Sequence, residues 1–376
     1  MKTQEMRCRR RSGGLRRAAV CLLLGALAAS LAACGFGGGN RNRPKVQRTT
    51  FALDTIITIS LYDSAEEQLV RDCFTLCGSY EKIFSRTDPG SELARFNRSG
   101  GEWVEISEDL STLLQEALQI QDESKGAFDV GMGHLSDLWN FGGRAAEDPL
   151  PDPEQLLALA AHTGYQDGSA MVELSEDGRQ ARLLDPETEI DLGAIAKGYI
   201  ADRLADYLVS KGVGRAVISL GGNVLCIGDK PDGTGFTIGI QYPFGEADEM
   251  AYVLSVRDAS VVTSGIYERC VEKDGVRYHH ILDPETGSSY QNGLLSVTIL
   301  APESVDADAL STTCFALGLE EGLRFAEESG VQAIFLTDQH EAYLTENFDE
   351  QMIIRQDDRI TRERLSGRFG GMDSDT

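Results

Sequence analysis

Basic residues are few in this 376-residue chain: 35 lysines and arginines stand against 60 acidic residues, a formal charge of −25. That balance argues against a nucleic-acid partner, which needs a basic face to displace counterions from phosphates. Long apolar runs are also scarce. Only the segment from Ala18 to Ala33 is continuously apolar, which excludes a polytopic membrane protein. No Walker loop (Gly-x₄-Gly-Lys-Ser/Thr) and no Gly-x-Gly-x-x-Gly fingerprint occurs, and there is no internal repeat. With 41% apolar and 25% charged residues, the composition is nonetheless that of a folded globular protein and excludes disorder throughout.

The single apolar run has a direction. Lys2, Arg7, Arg9, Arg10, Arg11, Arg16 and Arg17 precede it, and Leu31-Ala32-Ala33-Cys34-Gly35 ends it. Basic-then-apolar order over too few residues to span a bilayer is the pattern of a secretory signal. Small residues leading into a cysteine resemble the lipobox of bacterial lipoproteins. Residues 1–33 are therefore expected to be a signal peptide and Cys34 the lipidated mature N-terminus, anchored through its acyl chains outside the cytoplasmic membrane. Residues 34–48 read as a flexible tether, 49–365 as the folded domain and 366–376 as a disordered tail.

Eight cysteines do not make a disulfide framework, because Cys8 and Cys21 leave with the signal and Cys34 takes the lipid. Cys73 and Cys77 stand four apart in a helical pattern and share one face. With no histidine nearby and no second cysteine pair, they do not suggest a metal site.

The folded part reads as β from Thr49 (TTFALDTIITISLYD), then helix at about 64–84, a polar loop at 85–101, helix at 107–124 and a mixed stretch at 126–150. A helix at 153–162 precedes a hairpin-like pair at 170–175 and 180–184. IDLGAIAKGYIADRLADYLVSKGV gives a Gly-rich turn and a helix ending at Gly212. Two strands flank the turn Gly221-Gly222-Asn223, more are expected at 235–241, 251–257, 275–282 and 294–300, Thr263-Ser264-Gly265 reads as a turn, and helices at 306–319 and 320–328 precede the strand VQAIFLTD. Strands and helices mix without strict βα alternation. The fold class is α+β, with mixed or antiparallel sheets and packed helices.

Several constellations could carry chemistry. Asp308 and Thr312 lie four apart on one helix face; a carboxylate and a hydroxyl suit Mg²⁺ completed by waters and a phosphate. Equally, Asp306 or Asp308 reads as a cap of this helix and Thr312 as an interior residue. Asp191-Leu192-Gly193-Ala194-Ile195-Ala196-Lys197-Gly198 places glycines and a lysine at a helix start, where backbone N–H groups favour phosphate. His279 and His280 are adjacent in a strand, so only one faces a given site, and His279 is expected to face solvent. Trp139 reads either as a ring-stacking platform or as core.

In order along the chain, LDTIITI, FSRTDPGSELARFN, FDVGMGHLSDLWNFG, IDLGAIAKGYIAD, ISLGGNVLCIG, TSGIYER, YHHILDPETG and DADALSTTCFALG resemble the blocks of the FAD:protein FMN transferase (ApbE, flavin transferase) family, from about Leu53 to about Gly318. The resemblance implies a T-fold-related flavin transferase domain that uses Mg²⁺ and FAD. Such an enzyme transfers FMN to a threonine or serine hydroxyl of an acceptor protein and releases AMP. It implies Asp308 and Thr312 as side-chain metal ligands, with the backbone carbonyl of Ala194 completing the protein's share. Lys197 falls in the flavin-phosphate segment; Leu53, Trp139, Asn140, Phe141 and Ile281 match cofactor-lining positions; His280 matches the histidine that assists the acceptor hydroxyl. The acceptor would be a membrane or extracellular electron-transfer flavoprotein.

Two departures stand out. Leu53-Asp54-Thr55 replaces the Met-Gly-Thr of many members, and Arg86-Thr87 stands where some members place an aromatic over the flavin. An uncovered site admits water, so FAD hydrolysis to FMN and AMP is the alternative enzymatic reading. A flavin-binding lipoprotein without chemistry is the alternative from another class, and a generic solute-binding lipoprotein is disfavoured because the pattern does not form two similar α/β lobes.

Overall fold

The computed structural model describes residues 42–145 and 147–364. The expected signal segment 1–33, the lipidation site Cys34 and the tail 366–376 lie outside the described residues. Nine strands form one sheet whose spatial order follows chain order: Val46–Ala52, Thr55–Leu61, Ala216–Leu220, Asn223–Ile227, Ala259–Gly265, Leu294–Ala301, Gln332–Thr337, Glu341–Leu344 and Thr361–Glu363. Every neighbouring pair is antiparallel except the last, which is parallel.

Tight turns make this meander. Leu53 (φ 52°) and Asp54 (φ 54°) are both left-handed, and Ala52 pairs with Thr55 across them. This is the type I′ geometry that matches strand twist, here built without glycine. The long β reading from Thr49 is therefore a hairpin, and its first strand starts at Val46, inside the stretch read as tether. A second two-residue turn, Gly221-Gly222, joins Leu220 to Asn223.

The sheet is covered on both faces, which is why Leu294–Ala301 is buried at every position. Val297, Ile299 and Ala301 pack with Phe315 of the helix Ser304–Glu328. Leu300 faces the other way, toward a three-stranded sheet of Phe236–Gln241, Met250–Val256 and Ile353–Gln356. The helices Glu67–Phe84, Glu108–Glu123 and Ala196–Ser210 complete a third packed region over the N-terminal strands. Cys73 and Cys77 point into that core as free thiols, as does Cys314 elsewhere. The helix Ser304–Glu328 breaks at Gly318 (φ 79°, ψ −173°), at the join between the two helices expected there.

Three elements differ from the sequence pattern. A short helix, Glu92–Asn97, lies inside the polar loop, started by Ser91, whose side chain accepts from the Ala94 N–H at 3.1 Å. The mixed stretch contains the helix Gly133–Trp139. Thr263-Ser264-Gly265, a turn signal in the sequence, is instead the end of a strand, with Thr263 Oγ1 2.8 Å from Thr298 Oγ1 across the ladder. Among the described residues no helix is long and apolar enough to cross a membrane.

The helices Ala196–Ser210 and Ser304–Glu328 meet backbone to backbone at Gly198. A Cβ there would lie 2.3 Å from the Ser304 carbonyl oxygen and 2.6 Å from Val305 Cα. Gly198→Ala is expected to cost about 1–3 kcal/mol or more, because the opposing atoms are backbone and cannot rotate away; a urea-denaturation midpoint unchanged from wild type would contradict this.

Candidate active site

The site grows from that helix crossing. Ala196–Ser210 begins after Ile195, whose side chain cannot cap it. Its free N–H groups are served from across the crossing: Asp308 Oδ2 accepts from Gly198 N at 2.9 Å. Asp308 thus caps the neighbouring helix and not its own, which starts at Ser304. Because Gly198 donates to Asp308 and does not close back onto Ala194, the Ala194 carbonyl accepts no hydrogen bond among the described residues. Burial pushes the Asp308 carboxyl up, and Lys197 opposes the shift. Lys197 Nζ is 3.4 Å from Asp308 Oδ1 and donates to the Gly193 carbonyl at 2.9 Å. One turn further along, Thr312 Oγ1 lies 3.1 Å from Ser264 Oγ, which also meets Ser311 Oγ at 2.8 Å.

The loop that carries Gly193 and Ala194 is clamped from two sides. Arg86, nearly enclosed, pairs with Asp137 at 2.9 Å, Asp191 at 3.3 Å and Glu189 at 3.4 Å. Asn97 brackets Ile190, donating to its carbonyl and accepting from its N–H, both at 2.9 Å. The backbone bonds Asp191 N to Val130 O (2.7 Å) and Gly133 N to Glu189 O (2.9 Å) add the third edge. In Arg86 and Asn97 the structure reveals roles that sequence reasoning did not assign, as it does in Asp202, whose carboxylate accepts from Ser304 N and Val305 N at 2.8 Å each. The signal that could have found Asp202 is a repeated spacing, Gly198 to Asp202 and Ser304 to Asp308.

His279 is the correction in the histidine pair. It is buried, not solvent-facing: Nε2 lies 2.8 Å from the Tyr290 carbonyl, its N–H donates to Ser289 Oγ at 2.7 Å, and burial lowers its pKa to about 4. The strand alternation then turns His280 the other way. His280 is partly exposed, its Nδ1 is enclosed without a partner in hydrogen-bond geometry, and burial followed by the nearby Arg269 charge lowers its pKa to about 3. Ile281 returns to the core with Val262 and Ile266.

Trp139 is core. It is 1% exposed, donates from Nε1 to the Gly287 carbonyl at 2.7 Å, and lies nearly parallel to Phe141 (5.0 Å) and Tyr278 (5.4 Å). Asn140 ends its helix in the left-handed conformation (φ 44°) and lines an open groove of about 420 Å³ with Leu138, Arg144 and Gln155. None of Lys197, His280 or Asp308 lines that groove.

Leu53 sits at the hairpin tip with its side chain packed on the N-terminal core. Next to it, a Cβ on Gly221 would lie 1.9 Å from Thr55 Oγ1, and one on Gly222 would lie 3.5 Å from Glu268 Oε1. Three chain reversals therefore meet at one end of the sheet. Glu268 is exposed there, yet the protein crowded around its carboxyl raises its pKa to about 7 against the pull of Lys197 and Arg269. Lys197, Asp308, Glu268 and His280 thus feel one another's charge, whereas Trp139 packs in its own cluster with Leu135, Leu156 and Leu282.

A lysine, a helix start and the carboxylates of Asp308 and Glu268 make a charged site of a kind that can hold phosphate groups. Solved structures define the class. The flavin transferase ApbE from Vibrio cholerae superposes with a TM-score of 0.72 at 30% identity, over 81% of this chain and 97% of that one. The ApbE protein of Thermotoga maritima gives 0.70 at 31%, over 78% and 94%. Among sequences, the FAD:protein FMN transferase of Treponema pallidum is 36% identical over 329 residues, 83% of this chain and 90% of that protein. One from Klebsiella pneumoniae is 37% identical over 291 residues, 77% and 88%. These similarities mark the chain as a transferase. The ApbE family model matches residues 53–335, and the chain belongs to the ApbE family.

Glu268 supplies a pH dependence. Its carboxyl is neutral below about 7 and ionised above, so its negative charge enters the cleft as pH rises. ADP binding measured without divalent metal is expected to weaken severalfold between pH 6 and 8, and the slope is expected to flatten in Glu268→Gln. An equal slope in both proteins would remove Glu268 from the cleft's electrostatics.

Proposed function

We propose that this chain is a Mg²⁺-dependent FAD:protein FMN transferase, joining FMN to a threonine or serine hydroxyl of an acceptor protein through a phosphoester bond with release of AMP. The observation that carries the reading is the pairing of Asp308 with the Gly198 N–H and Lys197 at a helix start. An anionic side chain in that position, where a phosphate alone would be favoured, is accounted for by a cation shared between protein and substrate.

The donor set fits Mg²⁺. Asp308, Thr312 and the hydrogen-bond-free carbonyl of Ala194 are all hard oxygens. Asp308 would offer the carboxylate, leaving other positions to water and phosphate, as Mg²⁺ prefers. When bound, Mg²⁺ supplies charge neutralisation of the pyrophosphate and makes AMP a competent leaving group.

The chain's own residues do the rest. Lys197 offers a point charge to the flavin-side phosphate, and the start of the helix Ala196–Ser210 offers N–H groups. His280 is neutral across the physiological range and accepts the acceptor's hydroxyl proton. The hydroxyl oxygen bonds to the FMN phosphorus as the bond to the AMP oxygen breaks. Leu53, Asn140 and Phe141 line the flavin side, with Ile281 and Trp139 acting from behind, the latter as the support of Phe141. The partner is an acceptor flavoprotein of membrane or extracellular electron transfer, met outside the cytoplasmic membrane where a lipid on Cys34 would hold the enzyme.

A second reading, FAD pyrophosphatase, is favoured by one observation. Arg86 is committed to three carboxylates and Thr87 is not aromatic, so neither residue covers a flavin and water competes with the acceptor hydroxyl. A carrier without chemistry is disfavoured, since storage needs no buried carboxylate at the phosphate end.

Mass spectrometry of a threonine-containing acceptor domain, incubated with the protein, FAD and Mg²⁺, is expected to show one added FMN with AMP released, both lost on chelation. Free FMN and AMP with an unlabelled acceptor would replace this reading by the hydrolase. Asp308→Ala is expected to lower transfer by at least a hundredfold, and Thr312→Ala substantially, whereas Leu53→Ala should cost far less; near wild-type transfer by Asp308→Ala in saturating Mg²⁺ would sink the metal assignment.

A further inference from the structure

Asp202 is a buried carboxylate that the reaction above does not use. It sits on the helix Ala196–Ser210, four residues after Gly198, and reaches across the crossing to the start of the helix Ser304–Glu328. Its Oδ1 accepts from Ser304 N and its Oδ2 from Val305 N, each at 2.8 Å. Asp308, four residues after Ser304, reaches back to Gly198 N. The two helices therefore exchange caps. Neither has a side-chain cap of its own, because Ile195 and Glu303 make no such bond.

The exchange fixes relative position in a way an ordinary cap does not. A cap from within a helix stabilises that helix and leaves its neighbours free. Here each carboxylate belongs to one helix and binds the end of the other, so neither helix can slide or turn without breaking bonds at both ends. Ser304 is pinned further by Asn223 Oδ1 and Ser260 Oγ, both at 2.8 Å. The Ala194 carbonyl lies just before one helix and Asp308 lies one turn into the other. Their separation depends on this crossing together with the supports of the Gly193–Ala194 loop, since the two segments are far apart in the chain.

We infer that Asp202 is a positioning residue for the metal site: by holding the start of the helix Ser304–Glu328 against Gly198, it sets the geometry of Asp308 and Thr312 relative to the Ala194 carbonyl. The inference rests on the reading of those three residues as metal ligands. Residues hydrogen-bonded directly to metal ligands commonly govern metal affinity by about 10- to 100-fold; Asp202 acts one step further out, through the backbone of Ser304 and Val305 at the start of the helix that carries Asp308 and Thr312. Asparagine at this position retains the size of the side chain but presents an NH₂ to one of the two backbone donors, so one bond is lost and one repulsion gained.

The test is Mn²⁺ titrated into the purified protein, with bound metal read from the loss of the free Mn²⁺ electron paramagnetic resonance signal and thermal unfolding followed without metal. Asp202→Asn is expected to weaken Mn²⁺ binding at least tenfold, with Asp202→Ser as a smaller variant should asparagine prevent folding. Asp308→Ala is expected to abolish binding, and Asp206→Asn, an exposed change on the same helix, to leave it as in wild type. A lower melting temperature with unchanged Mn²⁺ affinity in a folded Asp202 variant would overturn the inference and leave the metal reading intact. Wild-type protein that binds no Mn²⁺ dependent on Asp308 would overturn both.

Discussion

Two helices that touch through a glycine and trade carboxylate caps organise everything near the site. Gly198 permits the contact because any Cβ would collide with the Ser304 carbonyl, and Asp202 and Asp308 lock it. Removing two carboxylates from water is costly, and burial raises the pKa of Asp202 to about 7. The cost is offset by backbone N–H groups at two helix starts, which would otherwise be unpartnered and which carry the positive end of each helix dipole. Stability and site geometry are the same set of bonds.

Around this crossing the sheet acts as a plate that aligns three loops. The Leu53-Asp54 and Gly221-Gly222 turns and the segment after Gly265 reach one end of it, bringing Thr55 to Gly221 and Gly222 to Glu268. The segment Glu189–Ala194 is not part of the sheet and needs its own supports. Arg86 supplies charge to two of its carboxylates, and Asn97 supplies a side-chain amide that mimics a strand neighbour for Ile190. Through these two residues the block FSRTDPGSELARFN supports IDLGAIAKG although nearly a hundred residues separate them.

The sequence made some of this legible and hid the rest for physical reasons. Helix periodicity placed Cys73 and Cys77 on one face, and that face is the core. The turn glycines at 221 and 222 were visible because left-handed backbone favours them, whereas Leu53-Asp54, with no glycine, concealed an equally tight turn. The strand ending in Thr263-Ser264-Gly265 looked like a turn because small polar residues usually mark one; here Ser264 meets the serine and threonine hydroxyls of a helix and Thr263 meets Thr298 across the ladder. His279 was misplaced because alternation shows that neighbours face opposite ways without showing which way is in.

By itself the sequence determined the mixed α+β class, the helix that carries Asp308 and Thr312 on one face, the glycine-and-lysine helix start at Gly193–Gly198, and the opposition of His279 and His280. Those properties follow from periodicities of 3.6 and 2 and from the conformational range of glycine, which are local. Only the tertiary structure decided that Asp308 caps a helix other than its own, that Asp202 returns the bond, that Arg86 joins three carboxylates, and that Trp139 is enclosed by Phe141 and Tyr278. Each of these is a contact between segments distant in the chain, and such contacts are set by how the sheet and helices pack, not by any spacing within one segment.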